Sequence, residues 1–252
     1  MIKGLYSAVS GMITNAARQQ VLSHNIANLQ TPGFKQVLTT VEDFMQKQDV
    51  QSPQNTPIAN LENLGQIGLG AQISREYIDF SQGALMDTGN QLDLAIEGNA
   101  MFKVKTPDGD RYTRDGRFIR DVDNKLVTVE GYKVLDSAGQ EITLPEGDVA
   151  VAPDGTITVK GTKVTQLGFG TFKTPEEELQ HTGGNLFTGP DASTSDEVPQ
   201  VVQGYLEASN ANPSQLMTQL VEVARSYEAS QKIVQNQDEL LGKTIASLGR
   251  LG

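Results

Sequence analysis

Two stretches at opposite ends of this chain space their apolar residues alternately by three and four, and about 180 residues of a different character separate them. Near the amino terminus Ile2, Leu5, Val9, Met12, Ala16, Gln19, Ser23 and Ile26 keep that rhythm, which places them on one stripe of an α-helix. The stripe predicts a helix over about 2–28, ended by Thr31-Pro32-Gly33, since proline cannot continue a helix and glycine accepts a turn. Near the carboxy terminus Leu216, Leu220, Val223, Tyr227, Ser230, Val234, Gln237, Leu241, Thr244 and Leu248 repeat it over 213–248. There Asn212 can cap, Pro213 suits the first helical position and Gln215 stands where a capping-box partner would. At 1.5 Å per residue that helix runs roughly 50 Å. Ser, Thr and Gln interrupt both stripes, and Gly242 weakens the second helix by about 1 kcal/mol relative to alanine. Two arrangements fit these helices: a two-helix stalk that closes on itself, or packing against neighbouring copies. The interrupted stripes favour the second, because each helix then needs partners on more than one side.

The middle of the chain reads as short strands. Turn signals recur every 8–12 residues from about 93 to 172. Arg111-Tyr112-Thr113-Arg114, Asp115-Gly116 and Arg117-Phe118-Ile119-Arg120 together predict a hairpin with a two-residue turn. Leu126-Val127-Thr128-Val129, Lys133-Val134-Leu135, Val149-Ala150-Val151 and Thr156-Ile157-Thr158-Val159 continue the pattern, with Asp108-Gly109, Ala138-Gly139 and Asp154-Gly155 as turns. Residues 46–75 and 174–200, rich in Gly, Pro and polar side chains, are expected to be extended or mobile connections. The expected fold is therefore a mostly β central domain of short antiparallel strands and hairpins. Amino- and carboxy-terminal α-helices flank it and form a coiled-coil-like stalk or inner tube on assembly. The expected divisions are 1–45 (amino-terminal helix and turn), 46–75 (extended linker or arm), 76–204 (β-rich outer domain) and 205–252 (carboxy-terminal helix).

Charge and composition exclude several functions. The formal charge of −11 resides in the middle: residues 76–204 hold eleven basic and twenty-two acidic groups, while the two ends are nearly neutral. No basic face for nucleic acid is expected, and no apolar run has the roughly 20 residues of a membrane span. There are no cysteines and only two histidines, His24 and His181. Thiol chemistry, zinc-thiolate sites and histidine-rich metal sites are thus excluded or disfavoured, and no cofactor is implied. Neither histidine accompanies a nucleophile elbow, so no catalytic residue is assigned. Asp121-Val122-Asp123-Asn124 opens like a calcium loop, but Lys125 occupies the fifth position and no closing glutamate follows, which favours a solvated hairpin turn. Gly65-Gln66-Ile67-Gly68-Leu69-Gly70 fails the dinucleotide spacing. Glu176-Glu177-Glu178 after Thr174-Pro175 reads as a helix start.

Several stretches resemble the flagellar axial proteins, the basal-body rod and hook subunits. They are Gly4-Leu5-Tyr6-Ser7-Ala8-Val9-Ser10-Gly11-Met12 and Ser23-His24-Asn25-Ile26-Ala27-Asn28-Leu29-Gln30-Thr31-Pro32-Gly33-Phe34-Lys35 at the start, and Gly204-Tyr205-Leu206-Glu207-Ala208-Ser209-Asn210 and Ala224-Arg225-Ser226-Tyr227-Glu228-Ala229 at the end. Between them, Leu92-Asp93-Leu94-Ala95-Ile96-Glu97-Gly98-Asn99-Ala100-Met101-Phe102 and Tyr112-Thr113-Arg114-Asp115-Gly116-Arg117-Phe118 are typical of the long rod proteins. His24 stands where asparagine is more usual, and Ala100 where glycine often stands.

The resemblance implies a non-enzymatic subunit of the flagellar basal-body rod, a hollow drive shaft carrying torque from motor to hook. Its size speaks against a hook subunit, which usually carries an extra domain; between the long rod types it is closest to the distal rod subunit, with the other long rod protein of similar size as the alternative. It implies export by the flagellar type III apparatus, location in the basal body outside the cytoplasm, and terminal helices that order on assembly. Partners would be copies of itself, adjacent rod and hook subunits and, in hosts that build them, ring proteins around the rod. Assembly would fall to Leu5, Val9, Met12, Ile26, Leu216, Leu220, Val223, Tyr227, Val234 and Leu241, and the family motif to Asn25, Ala27, Asn28, Thr31, Gly33, Phe34, Ser209 and Asn210. A secreted cell-wall-binding β domain is the remaining alternative, though with no tryptophan and 6% aromatic residues it would lack a binding platform.

Overall fold

The computed structural model of this chain describes residues 2–45, 68–190 and 199–248. A 26-residue helix, α1 (Ile2–Ala27), opens the chain and a 36-residue helix, α3 (Pro213–Leu248), closes it, as the spacings require. After α1 come β1 (Val37–Met45) and β2 (Gly68–Ile78), paired as a two-stranded arm. Most of the expected linker, residues 46–67, lies outside the described residues, as do 191–198. Among the described residues no helix is long and apolar enough to cross a membrane.

The β region follows as β3 (Leu85–Asp87), β4 (Leu94–Glu97), β5 (Ala100–Thr106), β6 (Gly109–Thr113), β7 (Phe118–Arg120), β8 (Leu126–Thr128), β9 (Lys133–Val134), β10 (Val149–Val151), β11 (Thr156–Val159), β12 (Thr162–Gln166) and β13 (Phe169–Thr171). A single turn of helix, α2 (Pro175–Glu178), leads to β14 (Gln180–Gly183), β15 (Leu186–Thr188), β16 (Gln200–Gln203) and β17 (Tyr205–Glu207). The largest sheet runs β14-β15-β6-β5-β9-β8-β7, with β13 also on β5; β10-β11-β12 form a second sheet, and β16 and β17 pair with β4 and β3. Between the two larger sheets lies the main core, which includes Phe102, Val104, Phe118, Leu126, Val134, Ile142, Leu144, Ile157 and Leu167. Phe102 and Phe118 meet edge to face at 5.0 Å. On the other face of the large sheet Met101, Tyr112, Phe172, Leu179, Phe187 and Phe80 form a smaller cluster.

Two local expectations are corrected. The stretches flanking Asp115-Gly116 do not form a hairpin: β6 pairs with β5 and β15, and β7 pairs with β8. A two-residue hairpin turn of the preferred kind needs positive φ at both central positions, and neither Asp115 nor Gly116 has it. The chain instead makes a crossing, where a Cβ on Gly116 would lie 1.6 Å from the Leu94 carbonyl oxygen and Asp115 clamps Arg117 through Nε and Nη2. The turn chemistry expected there occurs at Lys160-Gly161, with φ of 52° and 80°, between β11 and β12. The second correction concerns 174–190, read as a connection but folded as α2 and the β14–β15 hairpin. All four residues of β14 are exposed, so no alternation marks it, and Gly183, Gly184 and Asn185 supply the positive φ its turn needs. Asp121-Val122-Asp123-Asn124 is the turn between β7 and β8, with Asn124 at φ 59°.

The chain divides into two compact units: Met1–His24, Leu38–Glu76 and Ser214–Gly252 form one, Asn25–Val37 and Tyr77–Pro213 the other.

Candidate functional site

In the terminal unit the two long helices lie side by side. A Cβ on Gly4 would meet Gln237 Nε2, one on Gly11 would meet Ser230 Oγ, and Asn15 Nδ2 donates to Ser226 Oγ at 3.0 Å. The partner's number falls as the helix α1 number rises, so the pair is antiparallel. The buried or facing side of α1 is Gly4, Ala8, Gly11, Asn15 and Leu22. Each lies one position before a residue of the expected stripe, which is about 100° round a helix of 3.6 residues per turn. Small residues let the backbones approach; the bulky stripe lies to one side. Leu5, Met12 and Ile26 are accordingly half-buried, while Val9, Tyr6 and Ile13 are exposed.

On α3 the expected stripe and the inward face coincide better. Leu216 and Val223 are fully buried, Leu220, Tyr227 and Val234 half-buried, and Leu241 exposed. Met217, Val221, Ile233, Leu240 and Ile245 face outward, Ile245 with 69% of its surface exposed. The β1–β2 arm is fastened to α1: Thr14 Oγ1 donates to the Ala71 carbonyl, and Ala71 N donates to Ser10 Oγ.

In the β unit a second feature gathers the motif residues that follow α1 and precede α3. Asn25, completely buried, donates Nδ2 to the Val37 carbonyl and accepts from Val37 N. Thr31 Oγ1 donates to Asn28 Oδ1, and Ala27 is exposed. Gly33 has φ 68°, and a Cβ there would lie 2.4 Å from the Arg114 backbone, so only glycine fits. Its N–H donates to the Glu207 carbonyl at 2.7 Å, and Phe34 is buried beside it. Asn210 Oδ1 accepts from Gln36 N, while its Nδ2 donates to the carbonyls of Asp79 and Ser81. Ser209 Oγ accepts from Ala211 N.

At the centre is Glu207, a residue to which the sequence pattern assigned no role. Its Oε1 accepts from Lys35 Nζ at 2.6 Å and from Gly83 N at 2.9 Å; its Oε2 accepts from Arg114 Nη1 at 3.1 Å. The three side chains are 1–2% exposed. Lys35 Nζ also donates to the Ser81 carbonyl, and Arg114 to the carbonyls of Ile96 and Gly98. Arg114 Nε is buried without a hydrogen-bond partner. Burial pushes the Lys35 ammonium below its ordinary pKa, against the attraction of Glu207, and lowers that of Arg114 for the same reason. One carboxylate thus joins the turn after α1, the loop after β6 and the strand before α3. Two buried cations on one anion carry a net positive charge.

His24 is exposed at the end of α1, and His181 packs its ring against Phe187. Among the described residues no group of three or more His, Asp or Glu could hold a metal ion.

Three family models match the chain. Residues 5–35 match "Flagella basal body rod protein", residues 95–159 "Flagellar hook protein FlgE/F/G D1 domain", and residues 202–248 "Flagellar basal body rod FlgEFG protein C-terminal". Among similar proteins, the flagellar basal-body rod protein FlgF of Caulobacter vibrioides is 34% identical over the full length of both chains. FlgF of Rhizobium meliloti is 32% identical over 99% of each, and FlgG of Bacillus subtilis 30% identical over 97% of this chain and 98% of its own. Relatives of both names thus match at similar identity.

Proposed function

Since this chain belongs to the flagellar basal-body rod protein family, we propose that it is a structural subunit of the rod that polymerises, through its terminal helices, into a hollow drive shaft transmitting torque from motor to hook. The observation that carries this reading is the placement of apolar side chains on the helix pair. The seam within one chain sets Gly4, Ala8, Gly11 and Asn15 against Ser226, Ser230 and Gln237, with Leu22, Leu216 and Val223 the bulky side chains that are also buried. Tyr6, Ile13, Met217, Val221, Ile233 and Ile245 are left in water. Exposed apolar side chains in such numbers along one pair of helices mark an interaction surface, and further helices from neighbouring copies would cover it. Assembly in which two different faces meet builds an open helical filament wherever its rotation does not close a ring. The neighbours are copies of this chain and the adjoining rod and hook subunits, in the basal body.

Its route there is export by the flagellar type III apparatus into the space outside the cytoplasm, with ring proteins around the rod in hosts that build them. Electron microscopy of basal bodies from a strain lacking the gene tests the reading. A truncated rod without a hook, restored by the intact gene, is the expected result, and complete hook-bearing basal bodies would refute it.

A further inference from the structure

The dipeptide Asp-Gly occurs three times in the β unit, as Asp108-Gly109, Asp115-Gly116 and Asp154-Gly155, and it has a chemistry of its own. Without a Cβ on the second residue to hinder it, the glycine nitrogen can attack the aspartate Cγ. The N–Cγ bond forms, and one carboxyl oxygen leaves as water with the amide proton and the carboxyl proton. A five-membered succinimide remains, which water opens at either carbonyl. Attack at Cγ regenerates aspartate. Attack at the main-chain carbonyl leaves isoaspartate, in which the chain runs through Cβ and Cγ and the α-carboxylate is free. Mass and charge end unchanged. The reaction needs an unengaged carboxyl group and a glycine whose backbone can rotate, so the fold decides which of the three can undergo it.

Two of them are held. Asp115 is 7% exposed, and its Oδ1 accepts from Arg117 Nε at 2.9 Å and from Arg117 N at 3.1 Å. Gly116 is wedged against the Leu94 carbonyl, and its own carbonyl accepts from Leu94 N at 3.1 Å. Asp154 accepts from Thr156 N at 3.0 Å and from Thr156 Oγ1 at 2.9 Å. Those bonds hold its carboxyl below the ordinary carboxylate value, whereas the neutral acid is the form that loses water. Gly155 N donates to the Ala152 carbonyl at 2.9 Å, its carbonyl accepts from Leu167 N, and the Phe169 ring lies over it.

Asp108-Gly109 differs on each count. Both residues are exposed, where β5 turns into β6. Among the described residues no hydrogen bond or ion pair reaches the Asp108 carboxylate; Arg111 Nη2 donates to its main-chain carbonyl instead, at 3.4 Å. A Cβ on Gly109 would meet nothing nearer than Arg111 Nη1 at 3.8 Å. Gly109 is tied only as the last pair of the two strands, opposite Thr106, whose Oγ1 donates to its carbonyl at 2.8 Å. Such exposed strand ends open at the least cost.

We infer that Asp108-Gly109 is a site of spontaneous backbone modification in the folded chain, converting with time to isoaspartate while the other two Asp-Gly pairs are protected by their contacts. The product lengthens the turn by one methylene beside β5, the strand on which β6, β9 and β13 all pair. The mark records how long a copy of the chain has existed, and it is independent of the rod reading.

The test holds the full chain in warm, mildly acidic buffer, both folded and in urea. Isoaspartate is located by peptide mapping with fragmentation that separates it from aspartate, and its total is read by methylation with an isoaspartyl methyltransferase. In the folded chain it should accumulate at Asp108 at least about tenfold faster than at Asp115 or Asp154, where a hydrogen bond to a charged group must open first. In urea the three should react alike. Asp108→Glu, which could close only a six-membered ring, should remove most of the methylation from the folded chain. Equal rates at the three sites of the folded chain overturn the inference, as does a lead of Asp108 that persists undiminished in urea. So does a folded chain that forms no isoaspartate at Asp108 while its urea sample does, because the turn would then be closed to the reaction.

Discussion

Replacing Glu207 with alanine removes the one anion between two buried cations. Lys35 and Arg114, 1–2% exposed in the parent, then lose the carboxylate they are paired with, leaving Lys35 only the charge of Asp79, and the Gly83 N–H loses its acceptor. Breaking a buried pair by removing one partner costs roughly 3–5 kcal/mol, because an uncompensated charge stays behind. For a cooperative unit of about 150 residues each kcal/mol lowers the melting temperature by about 2–4 °C. Glu207→Ala should therefore lower it by roughly 6–20 °C. The assay is thermal unfolding of the full chain followed by circular dichroism in the β region. Because the cluster carries two cations and one anion, the partners are not equivalent: Lys35→Met leaves a neutral Arg114–Glu207 pair and should cost less than Glu207→Ala. The triple replacement Lys35→Met, Arg114→Leu, Glu207→Leu should recover most of the loss, since apolar residues of similar volume replace buried ion clusters at little cost. A Glu207→Ala protein melting within 2 °C of the parent, or a Lys35→Met protein that melts lower than it, would refute the electrostatic reasoning.

Three further outcomes are expected. Ile13→Asp or Val221→Asp, at side chains exposed in the helix pair, should leave the stability of the single chain within about 0.5 kcal/mol yet abolish incorporation into rods, read by immunoblot of isolated basal bodies. Gly116→Ala should destabilise the β unit by about 3 kcal/mol in urea titration, because its Cβ would collide with the Leu94 carbonyl, a backbone atom that cannot step aside. The Glu141 carboxyl, held by hydrogen bonds from Lys125 and then Lys133, should titrate at about 2 instead of 4.5. Its folded form gives up protons more readily than the unfolded chain, so its contribution to stability is present above pH 4.5 and is lost as pH falls toward about 2. NMR titration should show the midpoint moving up in Lys125→Met, and a midpoint already near 4.5 in the parent would contradict the geometry.

Local information in the sequence determined the two long helices and several of the central strands. The three-four spacing of Leu216, Leu220, Val223 and Tyr227, with Pro213 at the start, specifies helix α3 over Pro213–Leu248. The apolar runs at 126–128, 149–151 and 156–159 specify strands β8, β10 and β11, since a period of two or a turn residue acts within a few positions. Tertiary structure alone decided which surfaces meet. Nothing within Arg111–Arg120 shows that β6 turns back on β5 instead of β7, because that choice depends on Gly116 lying against Leu94. On α1 the regular stripe is the bulky one, yet the small residues one position earlier face α3, a preference set by how closely two backbones can approach. Lys35, Arg114 and Glu207 are separated by 79 and 93 positions, and each alone reads as a surface charge. Only folding brings them into one dry place, where the loss of water makes each of them depend on the others.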